Sequence, residues 1–197
     1  VRSSAASDVY KRQGVKSVCD SATMEVKYTN SWASFDLEKE CAEQLIADGC
    51  VLISQHADTT GAPTACEAKK VPCVGYNIDM IPTAPDAALT SATINWGPYY
   101  TYAVQSVIEG TAIDTDWSKG VKDGADAITE LNDKTVAKGT KEKVEEAQKG
   151  IEDGTIHVFD TSKFTVGGKT LEELVESGDE DATKLQSYIK DGYFHES

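Results

Sequence analysis

The sequence is poor in the groups that build metal and redox centres. Its three histidines, His56, His157 and His195, form no H-x-x-x-H or H-x-H spacing, and no two of its five cysteines form a C-x-x-C pair. A zinc site or a dithiol redox motif is therefore disfavoured. There is no G-x-G-x-x-G, no G-x-x-x-x-G-K-S/T and no G-x-S-x-G, so the common dinucleotide, nucleotide and serine-hydrolase signatures are missing. Nothing positions a cysteine–histidine nucleophile pair either. No apolar run approaches the ~18–20 residues of a membrane span. Positive charge is also scarce. The 19 Lys and Arg face 33 Asp and Glu, a formal net charge of −14. That balance argues against nucleic-acid partners and against an anionic membrane surface. Solubility is its simplest reading. No enzyme activity, cofactor or metal is expected.

The cysteines are Cys19, Cys41, Cys50, Cys66 and Cys73, an odd number, so at least one thiol stays unpaired within this chain. The patterning puts Cys41 on a helix and Cys19, Cys50 and Cys73 at strand edges. Buried, unbridged thiols are the first reading. A Cys66–Cys73 bridge depends on geometry that sequence does not contain.

The N-terminus is unusual. Asp8-Val9-Tyr10-Lys11-Arg12-Gln13 back-translates in frame to the transposon end used in sequencing-library preparation. Residues 1–13 are therefore read as an adapter-derived, non-native segment and set aside from fold reasoning. Arg2, Lys11 and Arg12 against Asp8 give that segment a balance of +2, so the remainder carries −16.

From Gly14 onward, apolar patterning alternates between strand and helix periods. Residues 24–29 alternate apolar and polar, as a half-exposed strand does. Asp36 is a plausible N-cap, and Leu37, Cys41, Leu45 and Ile46 recur at helical spacing up to Asp48-Gly49. A second strand is expected over 50–54. A short helix over 60–70 with Pro63 in its first turn follows, then a third strand over 71–76. This β-α-β-α-β order predicts a parallel sheet with right-handed crossovers. Another strand is expected over 88–94, with Pro98 at the first position of a helix whose apolar face ends at Gly110. Beyond it come an irregular strand over 121–128, a helix over 140–151 capped by Thr140, and a short strand over 156–159. Short helices over 171–176 and 182–189 close the chain.

Two of these segments point to a site. Val51-Leu52-Ile53-Ser54-Gln55-His56-Ala57-Asp58 and Val74-Gly75-Tyr76-Asn77-Ile78-Asp79-Met80 are apolar runs ending in polar clusters, separated by a helix-length stretch. Parallel strands of an open α/β sheet look like this when both end at one crevice, and ligands bind outside the carboxyl ends of such strands. Gln55, His56, Asp58, Asn77 and Asp79 are thus candidates for lining a shared site. Each has a plainer alternative. His56 could be a satisfied surface histidine, Asp58 the cap of the next helix, and Asp79 a turn former.

The ordered motifs resemble one family. Thr29-Asn30-Ser31-Trp32, Gln55-His56-Ala57-Asp58, Gly75-Tyr76-Asn77-Ile78-Asp79-Met80, Leu89-Thr90-Ser91, Asn95-Trp96-Gly97-Pro98-Tyr99-Tyr100, Lys122-Asp123-Gly124 and Ile151-Glu152-Asp153-Gly154 follow one another as in the basic membrane protein (BMP) family. That family comprises substrate-binding lipoproteins of ABC importers, among them purine nucleoside receptors. The resemblance covers Gly14 to about Gly168; each motif is weak alone, and the ordered set is specific.

The resemblance implies an α/β periplasmic-binding-protein fold of type I, with two lobes and a cleft, incomplete here at the N-terminus. Residues 14–93 would form most of the distal lobe. Residues 94–197 would cross the hinge and supply the C-terminal part of the first lobe. A lobe lacking half its sheet is expected to expose apolar surface and to be aggregation-prone. The implied function is capture of a small planar solute, a purine base or nucleoside, for an ABC permease in the membrane. The implied location is the cell surface or periplasm, with a lipid anchor in the full-length protein. Trp96, at the expected hinge, would stack on the solute, and Trp32 would cover its second face or close the cleft; both could instead be packing groups, and Phe35 competes with Trp32. The family motif usually reads Gly-Tyr-Asp-x-Asp, so Asn77 departs from it, while Asp79 keeps its carboxylate. An amide donates as well as accepts, which changes the solute edge that fits. The alternative is the ligand-binding domain of a transcriptional regulator or sensor on the same fold.

Overall fold

The computed structural model describes residues 2–156 and 165–184. The named elements run α1 (Arg2–Val18), α2 (Phe35–Ala47), β1 (Ile53–Ser54), α3 (Gly61–Lys69), β2 (Cys73–Tyr76), β3 (Ala88–Ile94), α4 (Gly97–Glu109), β4 (Asp126–Ile128), α5 (Thr140–Glu152) and α6 (Leu171–Glu176). One sheet has the order β1-β2-β3-β4. Its first three strands are parallel, and β4 joins β3 antiparallel, with Thr93 opposite Ala127.

The core lies between the sheet and the helices α2 and α3. It is built from small side chains: Ala42, Ala62, Ala65, Cys66, Cys73, Ala84, Ala87 and Ala88, with Ile53 and Met80 as the bulky members. Small residues let backbones approach, and Gly61 marks the closest contact. A Cβ there would stand 2.3 Å from the Phe35 carbonyl oxygen and 3.0 Å from Glu38 Cβ. α2 and α3 therefore pack nearly backbone to backbone. Glu38, only 3 % exposed, locks the pair. Its carboxylate accepts the Thr59 hydroxyl at 2.7 Å, the Thr59 N–H at 3.2 Å and the Ser34 N–H at 3.2 Å. A buried carboxylate persists only with such partners.

β2 and β3 are parallel yet joined by a connection without a regular helix. The Met80 carbonyl accepts the N–H groups of Thr83 and Ala84, and the Ala84 carbonyl accepts those of Ala87 and Ala88. These consecutive turns reverse the chain, and the Met80 side chain, fully buried, plugs the space below them. Asn132 fastens the return from β4. Its Nδ2 donates to the carbonyls of Pro85 (3.0 Å) and Ala88 (2.8 Å).

Several local expectations shift. Residues 24–29 are not a strand: they run as unpaired chain, while β1 occupies the sheet edge. Alternation alone does not make a strand, since the ladder needs a partner. The strand expected over 50–54 contracts to Ile53–Ser54, the length over which β2 offers hydrogen bonds. The cap of α2 is Ser34, with Asp36 inside the first turn, and the cap of α5 is Gly139 at φ 89° rather than Thr140. Gly97 precedes Pro98 in α4. The segment 121–128 divides into a 3₁₀ turn, Val121–Asp123, and β4. α1 runs unbroken through Gly14, across the boundary expected for the adapter-derived segment. The expected strand over 156–159 lies outside the described residues from 157 on, and the expected helix over 182–189 from 185 on.

α4 presents much apolar surface to solvent. Val107 and Ile108 are 70 % and 73 % exposed, and only Ser106 of this helix is buried. Among the described residues no helix is long and apolar enough to cross a membrane.

Candidate functional site

The carboxyl ends of β1, β2 and β3 open on one side of the sheet, and their next residues are polar. β1 continues into Gln55, whose N–H donates to the Val74 carbonyl at 3.0 Å and extends the ladder by one bond. The Gln55 side chain then turns inward and is 6 % exposed. Its Nε2 donates to the carbonyls of Ala57 (2.5 Å) and Thr59 (2.6 Å). Gln55 thus shapes the loop and leaves its neighbours to face outward.

His56 packs its ring on Tyr76, with centroids 4.7 Å apart and planes tilted by 42°. Burial, and secondarily the Lys11 ammonium, hold its pKa below the usual histidine range. A neutral imidazole offers one donor and one acceptor. Asp58 is tied in twice. Its backbone N–H donates to the Trp32 carbonyl at 2.9 Å, and its Oδ1 accepts Asn77 Nδ2 at 2.9 Å.

Asn77 is the most constrained member. It sits at φ 66°, a left-handed conformation that asparagine tolerates better than most side chains. β3 grips its backbone from both directions. The Asn77 N–H donates to the Ala92 carbonyl at 2.8 Å, and the Thr93 hydroxyl donates to the Asn77 carbonyl at 2.8 Å. With Nδ2 engaged by Asp58, the amide oxygen of Asn77 and the second carboxylate oxygen of Asp58 remain as acceptors at the strand ends.

Trp32, Asp58 and Asn77 are therefore joined by hydrogen bonds, His56 packs on Tyr76 next to Asn77, and Trp32 is 61 % exposed. Asp79 is different. Its Oδ1 accepts the Ile81 N–H at 2.9 Å, which makes it a turn former in the β2–β3 connection. Trp96 is also apart from the hydrogen-bonded group. It lies three residues beyond Thr93, at the N-cap of α4; the residue is 56 % exposed and its ring centroid is 6.3 Å from that of Tyr100.

Asn95 sets the direction in which Trp96 leaves the sheet. Its N–H donates to the Ala125 carbonyl (2.7 Å), its Nδ2 to the Gly124 carbonyl (2.9 Å), and its Oδ1 accepts the Gly97 N–H (3.0 Å). Further along α4, Tyr99 and Tyr102 pack on Trp117 with centroids 5.2 and 6.2 Å apart. Sequence reasoning did not single out Tyr76, Thr93 or Asn95. Only Asn95 carried a local signal, an Asn two residues before a glycine at a strand-to-helix junction.

A cavity of about 960 Å³ does not sit over Asn77 and Asp58. It runs along the free edge of β1 between α1, residues 21–32 and α2, and meets the site only at Trp32, Gln55 and His56. Its floor is unpaired strand edge, so it reads as space beside an unfilled sheet position rather than as a shaped ligand pocket. Among the described residues, no group of three or more His, Cys, Asp and Glu side chains could hold a metal ion.

Known proteins match this architecture. A purine-binding protein of Brucella abortus is 30% identical over 146 residues, which are 74% of this chain and 41% of that protein. A Haloferax volcanii protein described as an ABC transporter glucose-binding protein is 28% identical over 152 residues, 77% of this chain and 38% of that one. The chain thus spans about two fifths of the length of these curated relatives. A solute-binding protein of an ABC transporter system from Conexibacter woesei superposes with a TM-score of 0.58 at 20% identity, over 76% of this chain and 51% of that one. A transcriptional activator of the comK gene from Bacillus halodurans superposes at 0.64 and 18% identity, over 73% and 50%. At such identities the likeness concerns the fold, an α/β fold of the type I periplasmic-binding class with a mostly parallel sheet. The family model described as ABC transporter substrate-binding protein PnrA-like matches residues 9–160, and the chain belongs to that family, Bmp.

Proposed function

We propose that this chain is part of the solute-binding component of an ABC importer, working by capture rather than catalysis, and that its solute is a purine base or nucleoside. The observation that carries the reading is the Asp58–Asn77 hydrogen bond at the carboxyl ends of adjacent parallel strands, with His56 packed on Tyr76 and the exposed Trp32 bonded to Asp58 through its backbone carbonyl. Flat rings stack on aromatic faces, and fixed acceptors read hydroxyl or ring N–H groups at the solute's edge. Trp96 supplies the second ring when the lobes close, and Asp79 acts by shaping the β2–β3 connection. Residues 14–93 belong to the distal lobe and residues from 94 on to the hinge and first lobe, with the cleft between them. Closure then presents one surface to a membrane permease. In this reading the protein acts outside the cytoplasm at the cell surface or in the periplasm, held by a lipid anchor.

The purine assignment is supported by the Brucella abortus relative; the Haloferax volcanii relative makes glucose the competing solute. Thermal shift of a version extended to the relatives' length separates them. A ligand at ~100 times its Kd adds about 2.7 kcal/mol to stability. Adenine or a nucleoside should raise the midpoint and glucose should not. Trp96→Ala should weaken purine binding by about 1–3 kcal/mol, the worth of one base-stacking contact. A glucose response without a purine response overturns the solute class, and unchanged purine affinity in Trp96→Ala removes the stacking role.

A further inference from the structure

We propose that residues 24–29 close onto the sheet as a fifth strand, parallel to β1 at its free edge, and that α1 is the prop that holds them off. The closure does not depend on which solute binds. The free edge has a defined pattern. The N–H groups of Ile53 and Gln55 donate to the Pro72 and Val74 carbonyls, each at 3.0 Å, so these two residues turn their backbone toward β2. Backbone groups alternate in direction along a strand, which turns those of Leu52, Ser54 and His56 to the open side. An edge of this kind is a template for another strand.

One rung of the new ladder is already made. Asp58 continues the same alternating series, and its N–H donates to the Trp32 carbonyl at 2.9 Å. Carried back along both chains in parallel, that bond sets Thr29 opposite Ser54, Tyr28 opposite Ile53, Lys27 opposite Leu52 and Val26 opposite Val51. Opposite residues share one face of a sheet. Val26 and Tyr28, now 42 % and 51 % exposed, would then lie on the face of Ile53, which packs in the core with Ala42 and Ala62. A register one residue away would turn Lys27 and Thr29 inward instead. The apolar pattern and the existing rung thus select the same register. The segment is also close at hand. Lys27 Nζ lies 2.7 Å from Asp48 Oδ2, and the Cys50 thiol donates to the Glu25 carboxylate at 3.7 Å.

α1 stands in the way. The cavity of about 960 Å³ is bounded by α1, residues 21–32, α2 and β1, so the helix and the segment face the strand edge across one space. α1 is tied to both sides of it. Lys11 Nζ donates to the Gln55 carbonyl at 2.9 Å, and the Tyr28 hydroxyl donates to Asp8 Oδ2 at 3.4 Å. Between the Trp32 rung and residue 29, Asn30 turns the chain at φ 54°. Asparagine takes left-handed backbone at smaller cost than most residues and extended backbone as well, so this one position can release the segment. Closure then supplies partners to Leu52, Ser54 and His56, buries Val26 and Tyr28 and fills the cavity. The added strand leads into Trp32, beside Asp58, and lengthens the row of strand ends at the candidate site by one.

Hydrogen–deuterium exchange of the full chain, read by mass spectrometry, tests the closure. The parent is compared with Asp8→Ala/Lys11→Ala, which cuts both ties of α1 and alters no residue of the sheet or of the segment. The expected result is unprotected exchange over residues 24–30 in the parent and exchange slower by at least about tenfold in the variant, at a concentration where it is monomeric. Adding Val26→Asp, which puts a charge on the face this register buries, should restore fast exchange. The amides of β2 and β3 report that each variant is folded; if the double variant loses their protection, Lys11→Ala alone takes its place. Equal exchange over 24–30 in parent and variant, or slow exchange already in the parent, would overturn the closure. So would protection that survives Val26→Asp, or protection that appears only on dimerisation, when a second copy takes the edge.

Discussion

Replacing Glu38 by alanine should be among the most destabilising single changes in this chain. The carboxylate is 3 % exposed and accepts three donors, the Thr59 hydroxyl, the Thr59 N–H and the Ser34 N–H, at 2.7, 3.2 and 3.2 Å. A buried donor left without a partner costs about 1–3 kcal/mol. Ser34 begins a helix at the surface and recovers a water, so the two Thr59 donors dominate. Relief of carboxylate desolvation offsets part of their loss. The net expectation is about 2–3 kcal/mol, which in a protein of this size lowers the thermal midpoint by roughly 4–12 °C. Glu38→Gln keeps the volume and one acceptor oxygen and should cost about half as much. Urea denaturation followed by circular dichroism gives both values. If alanine cost less than about 0.5 kcal/mol, the carboxylate would not be what joins α2 to the loop before α3.

Two further outcomes follow from the same packing. A Cβ at Gly75 would stand 2.4 Å from Ser91 Oγ and 2.5 Å from Met80 Cγ, both fully buried, so Gly75→Ala should cost about 1–3 kcal/mol by overpacking. Gly75→Ala/Ser91→Gly should regain part of that in the same urea titration; a single variant as stable as the parent would contradict the contact. For His56, burial and the nearby Lys11 lower the folded pKa beneath its ordinary value of 6.5. The unfolded chain therefore binds this proton more tightly. Stability is fully present above about pH 6.5 and is lost as pH falls through that value toward the folded pKa. His56→Gln should flatten the urea midpoint between about pH 7 and 5; an unchanged slope would show that this histidine is not held neutral.

Periodicity made much of the fold legible. The strand over 88–94 and the helix over 171–176 stand where the pattern puts them, and Gly110 ends its helix at φ 69°. These elements are specified by their own residues, through burial period and capping. Residues 24–29 misled for the complementary reason. Their alternation is real, but no neighbouring backbone supplies the ladder. Strand propensity is largely a statement about surroundings.

The candidate site divides in the same way. That these polar residues follow strand ends was readable, because polar residues after apolar runs mark such ends. The pairing among them was not. That Asp58 engages Asn77, that His56 lies on Tyr76, and that Asp79 serves a turn are consequences of register. Gln55 was a candidate by position, and its side chain instead ties its own loop.

By itself, then, the sequence determined the order and type of most elements and the family to which the chain belongs. Each depends on spacing along the chain or on the order of short motifs. Only the tertiary structure decided which side chains touch: the Glu38 clasp and the αL Asn77 held between Asp58 and β3. Those contacts join elements whose relative position is set by sheet register and helix packing, and neither is encoded in any single stretch of the chain.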